Sequence, residues 1–346
     1  MNIKNKKHII AAICGAVAVI FIIVLAVSLP REPRLEAESE SGDASAVKEK
    51  DSERVNFLLL GCDRASGLTD VIMLVSVDTE GKSADILQIP RDTYARYSKR
   101  SYKKLNGAMA MLGGADKLCD FLSETMRVDI DGYFVFTLDA FASAVDAIGG
   151  VEIDLPFDMD YNDPYQGLSI HLDAGVQTLD GETAEKFVRY RSGYLRGDLG
   201  RMDAQKLFMA AFIKKVTETM TPTTLVRTLK AVIGKVETNL GLKEITDIAL
   251  TCIDIESENI RMLTLAGEDV RIGEDGPWYY VLSRSAARRA LAEHMGAMVD
   301  DAEFDRERIF DNPEYEEISE IYNSDIEYHS SDASDITQNG IEIQKR

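Results

Sequence analysis

A chain of 346 residues in which 45% of side chains are hydrophobic holds enough apolar material for one sizeable core. Its formal net charge of −20 argues against nucleic acid as a partner, because such binding rests on a basic face that neutralises phosphates. Much of that acidity lies at the end, where residues 300–346 carry about fifteen Asp and Glu against about four Lys and Arg. The four Cys form neither a Cys-x-x-Cys pair nor a Cys/His cluster, which excludes the common zinc patterns and the thioredoxin-like redox motif. Cys14 lies in an apolar run. Cys62, Cys119 and Cys252 read as free buried thiols, although their spacing leaves one disulfide open.

In chain order, residues 1–8 precede an uncharged apolar run at 9–29. At about 1.5 Å per residue that run is long enough to cross a hydrocarbon core of about 30 Å. Lys4, Lys6 and Lys7 ahead of it place the N-terminus in the cytoplasm and the rest of the chain outside. A cleaved signal peptide is the alternative, and it exports the domain equally. Residues 30–53, rich in Glu, Ser and Ala without apolar periodicity, form an acidic linker. The ordered domain is expected over 54–303.

Apolar runs at 55–60, 71–77 and 84–89 predict three strands in an antiparallel meander, joined by short Gly-containing connections. That topology brings Asp63, Asp70 and Arg91 to one sheet edge. Helices are expected at 108–126 and at 138–148, the latter stopped by Gly149 and Gly150. Strands are expected at 133–136, 151–155 and 168–172. Asp180 is a good N-cap for a helix over 181–188 that delivers Arg189 and Arg191, and a further helix follows at 201–219. Helices at 225–237 and 243–254, a strand at 260–265 and a capped helix at 283–295 complete the α/β pattern. The acidic remainder, 304–346, reads as a disordered tail.

The chemistry concentrates in Arg91, in Arg189 and Arg191, and in Arg201 with Gln205. Arg presents a rigid, permanently charged fork that bonds phosphate oxygens in pairs, so several Arg in an acidic chain point to a bound diphosphate. Arg201 and Gln205 are four apart on one helix face, near an N-terminus that favours anions. Asp63 and Asp70 supply the one or two carboxylates that Mg2+ usually takes from protein, with phosphate and water filling its octahedron. Asp92 is placed to orient Arg91. His171 has no second His or Cys nearby and receives no role. Ser66, Ser76 and Ser192 lack a nucleophile elbow, and Gly113-Gly114 and Gly149-Gly150 lack the spacing of a phosphate loop and read as turns.

Over 55–216 these pieces resemble the LytR-CpsA-Psr family of cell-wall enzymes. The resemblance rests on Asn56-Phe-Leu-Leu-Leu-Gly-Cys-Asp63, Thr69-Asp70, Gln88-Ile-Pro-Arg91-Asp92-Thr93-Tyr94, Lys104-Leu-Asn106, Asp146-Ala-Ile-Gly-Gly-Val151, Leu179-Asp-Gly-Glu-Thr-Ala184, Val188-Arg-Tyr-Arg191 and Gly200-Arg201-Met-Asp-Ala-Gln205, in the family's order. It implies a three-layer α-β-α domain with a central mixed sheet, outside the membrane and preceded by one transmembrane helix. It further implies transfer of a phosphoglycan from a polyprenyl-pyrophosphate carrier to peptidoglycan, with Mg2+ or another divalent cation. By the same resemblance Asp63 and Asp70 serve the metal, Arg91, Arg189, Arg191 and Arg201 are catalytic, and with Gln205 they hold the pyrophosphate. Leu68 stands where the family usually has Arg, and Arg64 is the candidate replacement. That departure keeps a second reading open, a scaffold that captures lipid-linked glycan without chemistry. A transcriptional attenuator is opposed by the acidic composition and by the absence of a helix-turn-helix signal. The family does not explain the acidic tail.

Overall fold

The computed structural model describes residues 54–63, 67–97, 103–164, 168–219, 233–241, 245, 255–297, 309–333, 335–336, 343 and 345. The expected membrane helix at 9–29, the linker, Arg64, Ser66 and almost all of the helix expected at 243–254 lie outside them. Among the described residues no helix is long and apolar enough to cross a membrane.

The strands are β1 (Arg54–Asp63), β2 (Leu68–Asp78), β3 (Ser83–Ile89), β4 (Tyr94–Ala95), β5 (Lys103–Lys104), β6 (Gly132–Phe136), β7 (Val151–Leu155), β8 (Met159–Asp163), β9 (Leu168–Leu172), β10 (Gly175–Leu179), β11 (Glu237–Thr238), β12 (Ile260–Thr264), β13 (Gly267–Arg271), β14 (Trp278–Leu282) and β15 (Ser330–Asp332). The helices are α1 (Ala108–Leu112), α2 (Ala115–Met126), α3 (Leu138–Ala147), α4 (Gly181–Arg189), α5 (Asp198–Thr219), α6 (Arg284–His294) and α7 (Glu316–Tyr322). A seven-stranded sheet runs β11-β6-β1-β2-β3-β12-β15. β1, β2 and β3 form the expected antiparallel meander, while β6 joins β1 and β12 joins β3 in parallel, so the sheet is mixed.

Strand alternation builds the layers. Phe57 and Leu59 of β1, with Met73 and Val75 of β2, face one apolar cluster with Phe141 of α3, Phe187 of α4 and Phe208 of α5. Leu58, Leu60, Ile72 and Leu74 face the other, with Leu118 and Leu122 of α2 and Leu291 of α6. Both faces are dry, which explains why these strands read as continuous apolar runs. Cys62 and Cys119 are buried thiols, and burial pushes the Cys119 thiol up to about 12.

Several expectations need correction. The helix expected over 108–126 is broken at Gly113 and Gly114, whose φ of 102° and 133° are costly for other residues. At the end of the helix expected over 225–237, Ile233–Lys235 forms a 3-10 turn around Gly234, and Glu237–Thr238 is a strand paired with β6. Of the hairpins β7–β10 and β8–β9 only β7 and β9 were expected, and the β13–β14 hairpin was not foreseen. The tail expected to be disordered contains α7 and β15. Phe310, Ile318 and Tyr322 are buried in the α6-side layer, and Ala333, Ile336 and Ile343 in the opposite one. Between them β15 pairs antiparallel with β12 at the sheet edge. A few well-spaced apolar anchors and a backbone ladder order this acidic segment.

Candidate active site

The sheet edge where β1 ends, β2 begins and β3 ends is the framework of the site. Immediately after β3, Pro90 turns the chain; Thr93 donates to the Pro90 carbonyl through its amide at 3.0 Å and its hydroxyl at 2.6 Å. The Asn106 amide donates to the Arg91 carbonyl at 3.0 Å, so Arg91 is fixed from both sides. Its buried guanidinium reaches Asp70 Oδ1 through Nη1 at 2.7 Å and Asp198 Oδ1 through Nη2 at 3.3 Å. Asp92 lies 3.9 Å from Arg91 Nε and 2.7 Å from Lys104 Nζ. Burial opposes the Arg91 charge, yet Asp198, Asp70 and Asp92 hold it above its ordinary value.

Asp198, the first residue of α5, is the hub. Its Oδ1 lies 2.7 Å from Arg201 Nη2, 3.3 Å from Arg91 Nη2 and 3.5 Å from Arg191 Nε. A carboxylate in a first helical turn also suits the helix dipole. Burial raises its pKa, but Arg201, Arg91, Arg191 and Lys104 outweigh that and bring it down to about 2. For Arg201, 1% exposed, burial is the largest influence; with Arg91 and Arg191 repelling it, the guanidinium falls to about 10 despite Asp198. It stays charged at neutral pH and is under-compensated by protein.

Backbone shape makes this convergence possible. Gly197 takes φ 56° before α5, and a Cβ on Gly200 would come within 2.6 Å of the Tyr194 Cβ. The loop from Arg191 to Asp198 therefore packs closely on the helix start.

The structure brings some of the sequence-predicted residues together and not others. Arg91, Arg191 and Arg201 come together on Asp198, and Asp70 joins through Arg91. Gln205, one turn after Arg201, accepts from Gln88 Nε2 at 2.8 Å. Arg189 is instead turned to Glu185 at 2.5 Å, one helical turn back, and is not brought onto Asp198. Of Asp63 the structure describes the backbone, opposite Leu68 beside a register shift; Arg64 lies outside the described residues. Arg201 Nε and Nη1, Gln205 Nε2 and Arg189 Nε are buried donors without hydrogen-bond partners among the described residues. Such donors are costly unless an acceptor-rich ligand meets them.

Arg91, Arg191, Arg196 and Asp198 line a cleft of about 1040 Å³. Its other wall is the β13–β14 hairpin, which contributes Asp269, Trp278 and Tyr279, with Leu68 and Met111 also in the lining. Asp198, Lys104, Asp269 and Trp278 received no role from the sequence. Only Asp198 had a local signal, an acid three residues before Arg201. His171 pairs with Asp160 on the exposed face of the β8–β9 hairpin, outside the cleft lining.

Among the described residues no group of three or more His, Cys, Asp and Glu could hold a metal ion. Asp70 offers a buried carboxylate at the sheet edge, already 2.7 Å from Arg91. This donor set does not make an all-protein cage. It suits an ion such as Mg2+, which takes one or two carboxylates and draws its other ligands from phosphate and water.

Comparison with known proteins gives the family and the fold. The model of the LytR_cpsA_psr family matches residues 28–295. The polyisoprenyl-teichoic acid–peptidoglycan teichoic acid transferase TagV of Bacillus subtilis is 28% identical over 236 residues, covering 66% of this chain and 60% of TagV. The transferase of the same description TagU of Bacillus cereus is 31% identical over 264 residues, covering 73% of this chain and 81% of TagU. The crystal structure of B. subtilis TagV aligns with a TM-score of 0.62 at 25% identity, covering 72% of this chain and 100% of that one. The matched part thus spans less than two thirds of the curated TagV sequence.

Proposed function

The chain belongs to the LytR-CpsA-Psr family, and we propose that it is a phosphotransferase that moves a teichoic-acid-type glycopolymer from a polyprenyl-pyrophosphate carrier to peptidoglycan. The observation that carries this reading is the convergence of Arg91, Arg191 and Arg201 on one carboxylate oxygen, with buried donors of Arg201 and Gln205 left over. An acidic protein that gathers three guanidinium groups on one carboxylate and leaves buried donors of Arg201 and Gln205 unmatched is built to receive phosphate. The relatives, whose names describe polyisoprenyl-linked teichoic acid as donor and peptidoglycan as acceptor, support the same class of substrate.

The chemistry is electrostatic. An acceptor sugar hydroxyl attacks the sugar-linked phosphorus, and the polyprenyl phosphate leaves. Charge grows on the leaving oxygens, and preorganised guanidinium groups stabilise it without having to reorganise. Arg91 is held by Asp70 and by the Pro90 turn, Arg201 by Asp198, and Gln205 by Gln88, so each donor is oriented before the ligand arrives. Asp63 and Asp70 would hold Mg2+, which when bound supplies further neutralisation of phosphate charge. Residues 9–29 would anchor the domain on the outer face of the cell membrane, next to the lipid carrier.

Leu68 favours weighing the scaffold reading beside this one, since it lines the cleft at the position where the family pattern places Arg. One experiment separates them: turnover of a synthetic polyprenyl-pyrophosphate glycan by the full-length protein in vesicles, with and without Mg2+ and peptidoglycan. Arg191→Ala, whose side chain is 39% exposed, should lose about 10²–10³-fold in transfer with little change in thermal midpoint. Asp63→Ala should abolish the metal-dependent transfer. Wild-type transfer by Arg191→Ala would sink the arginine-cage mechanism, and tight donor binding without turnover under any condition would establish the scaffold.

A further inference from the structure

We propose that the β13–β14 hairpin is the acceptor subsite of this reaction, with Trp278 as the platform on which a sugar ring of the acceptor glycan stacks and Asp269 as the general base that takes the proton of the attacking hydroxyl. The proposal rests on the phosphotransferase reading and assigns the wall of the cleft opposite the arginines.

At about 1040 Å³ the cleft lies at the upper end of the roughly 300–1,000 Å³ usual for ligand pockets, more than a diphosphate fills. Its two walls differ in chemistry. One presents Arg91 and Arg191; the other presents Trp278, 54% exposed, and Met111, also 54% exposed, contributes a second large apolar side chain to the same cleft. Two such residues left in water around one cavity mark a binding surface rather than scattered exposure. A pyranose has C–H groups on its ring faces and hydroxyls around its edge. Its face therefore suits an indole, while its edge suits the charged opposite wall.

The hairpin is tied to the catalytic turn. The Tyr280 amide donates to the Asp92 carbonyl at 2.9 Å, Tyr280 bridges Thr93, and the Tyr280 hydroxyl donates to the Leu265 carbonyl at 3.0 Å. Asp92 follows Arg91 directly, so Trp278 and the arginines are held in one frame. Asp269 pairs with Tyr280 across the hairpin, and through Tyr280 is tied to the turn that carries Arg91 and Asp92.

Three carboxylates line the cleft. Asp92 is engaged by Lys104 and Asp198 by the arginines, whereas Asp269 has no hydrogen-bond or ion-pair partner among the described residues. The charged groups that face it are Asp92, Asp198, Lys104 and Arg191, and Tyr280 lies beside it. Burial, Asp92 and Asp198 raise its pKa above the ordinary carboxylate value, the direction that makes a carboxylate a stronger base. In the step it serves, the acceptor oxygen bonds to the sugar-linked phosphorus and the bond from that phosphorus to the bridging oxygen breaks. The electron pair leaves on polyprenyl phosphate, and the hydroxyl proton passes to the Asp269 carboxylate.

Trp278 is the only Trp in the chain, so emission excited at the red edge of the absorption band, where Tyr does not absorb, reports this site alone. Full-length protein in vesicles would be titrated with a peptidoglycan glycan fragment of two disaccharide repeats, and transfer from a synthetic polyprenyl-pyrophosphate glycan followed in parallel. A saturable change in Trp emission is expected. Trp278→Ala should raise the acceptor KM about tenfold with kcat little changed, and Trp278→Tyr should recover most of it. Asp269→Asn should lower kcat about 10²-fold and erase the acidic limb of the pH–rate profile while acceptor KM and the emission change persist. Unchanged emission, or a wild-type acceptor KM in Trp278→Ala, would overturn the platform; wild-type kcat and pH profile in Asp269→Asn would overturn the base. A wild type that turns over no donor overturns the phosphotransferase reading and the base assignment with it, whereas an active wild type with unchanged variants overturns the acceptor subsite alone.

Discussion

Asp198 Oδ1 lies within 3.5 Å of Arg201, Arg91 and Arg191, and all three side chains owe their shared position to it. Its folded-state pKa of about 2 lies below the ordinary 3.8, so its stabilisation is fully present above about pH 4 and is lost as pH falls through about 2. The difference is worth about 2–3 kcal/mol. Asp198→Asn should therefore lower stability at neutral pH by about 3 kcal/mol and flatten the acid limb of unfolding between pH 3.8 and 2. Inorganic pyrophosphate should raise the thermal midpoint of the variant more than that of wild type, because an added anion then replaces the missing carboxylate. Equal midpoints in variant and wild type would show that Asp198 does not organise the cage. The arginines were legible because an acidic chain needs a reason to cluster Arg. Asp198 was not, since an acid in a first helical turn is commonplace. Arg189 could have been separated from the others by spacing alone, because Glu185 lies four residues before it on the same helix face.

The start of α5 sets a helix-propensity gain against a packing cost. Replacing Gly200 by Ala should favour the helix by about 1 kcal/mol on propensity alone. The new Cβ would lie 2.6 Å from the Tyr194 Cβ, and Tyr194 cannot yield freely: it is 1% exposed, with ring contacts to Tyr190 at 5.3 Å and Phe157 at 5.8 Å. Overpacking of this kind costs typically about 1–3 kcal/mol, so the clash wins and Gly200→Ala should destabilise. The loop that must move connects Arg191 to Asp198, so transfer should fall more than the stability loss explains; a stabilised, fully active variant would refute the close-packing account. Elements like α5 and the β1–β3 meander were readable because their burial is one-sided or complete over many residues. β13 has a single buried side chain, Val270, and β15 has none, so pairing with a neighbour rather than side-chain pattern makes them strands. β13 was missed for that reason, whereas β14, with Tyr280, Val281 and Leu282 buried, carried an apolar run that the sequence reading passed over.

Across the whole molecule, the C-terminal segment folds around one edge of the sheet. Phe310, Ile318 and Tyr322 pack in one apolar layer, and Ile336 and Ile343 in the other. β15 covers the edge of β12 between them, and the Ser324 carbonyl accepts from Ser283 at 2.7 Å at the cap of α6. Tyr328 reaches Glu293 and His294, and His294 in turn lies 3.0 Å from the buried Asp85 of β3. Composition hid this, because five large apolar anchors are dispersed among about fifteen acids, and mean polarity says nothing about which few residues are inserted. Each buried anchor is worth about 1.5–3 kcal/mol, an upper estimate against which the cost of ordering the segment must be set. If most of the gain is offset, a net loss of about 3 kcal/mol on removing 304–346 still lowers the thermal midpoint by about 6–12 °C. Removal would also uncover the edge of β12, whose unpaired backbone groups template association with another chain. Thermal unfolding and light scattering of the full chain against the chain ending at 303 test this directly. The shortened protein should melt lower and associate, and an identical midpoint without association would mean that the segment is an appendage that the core does not use.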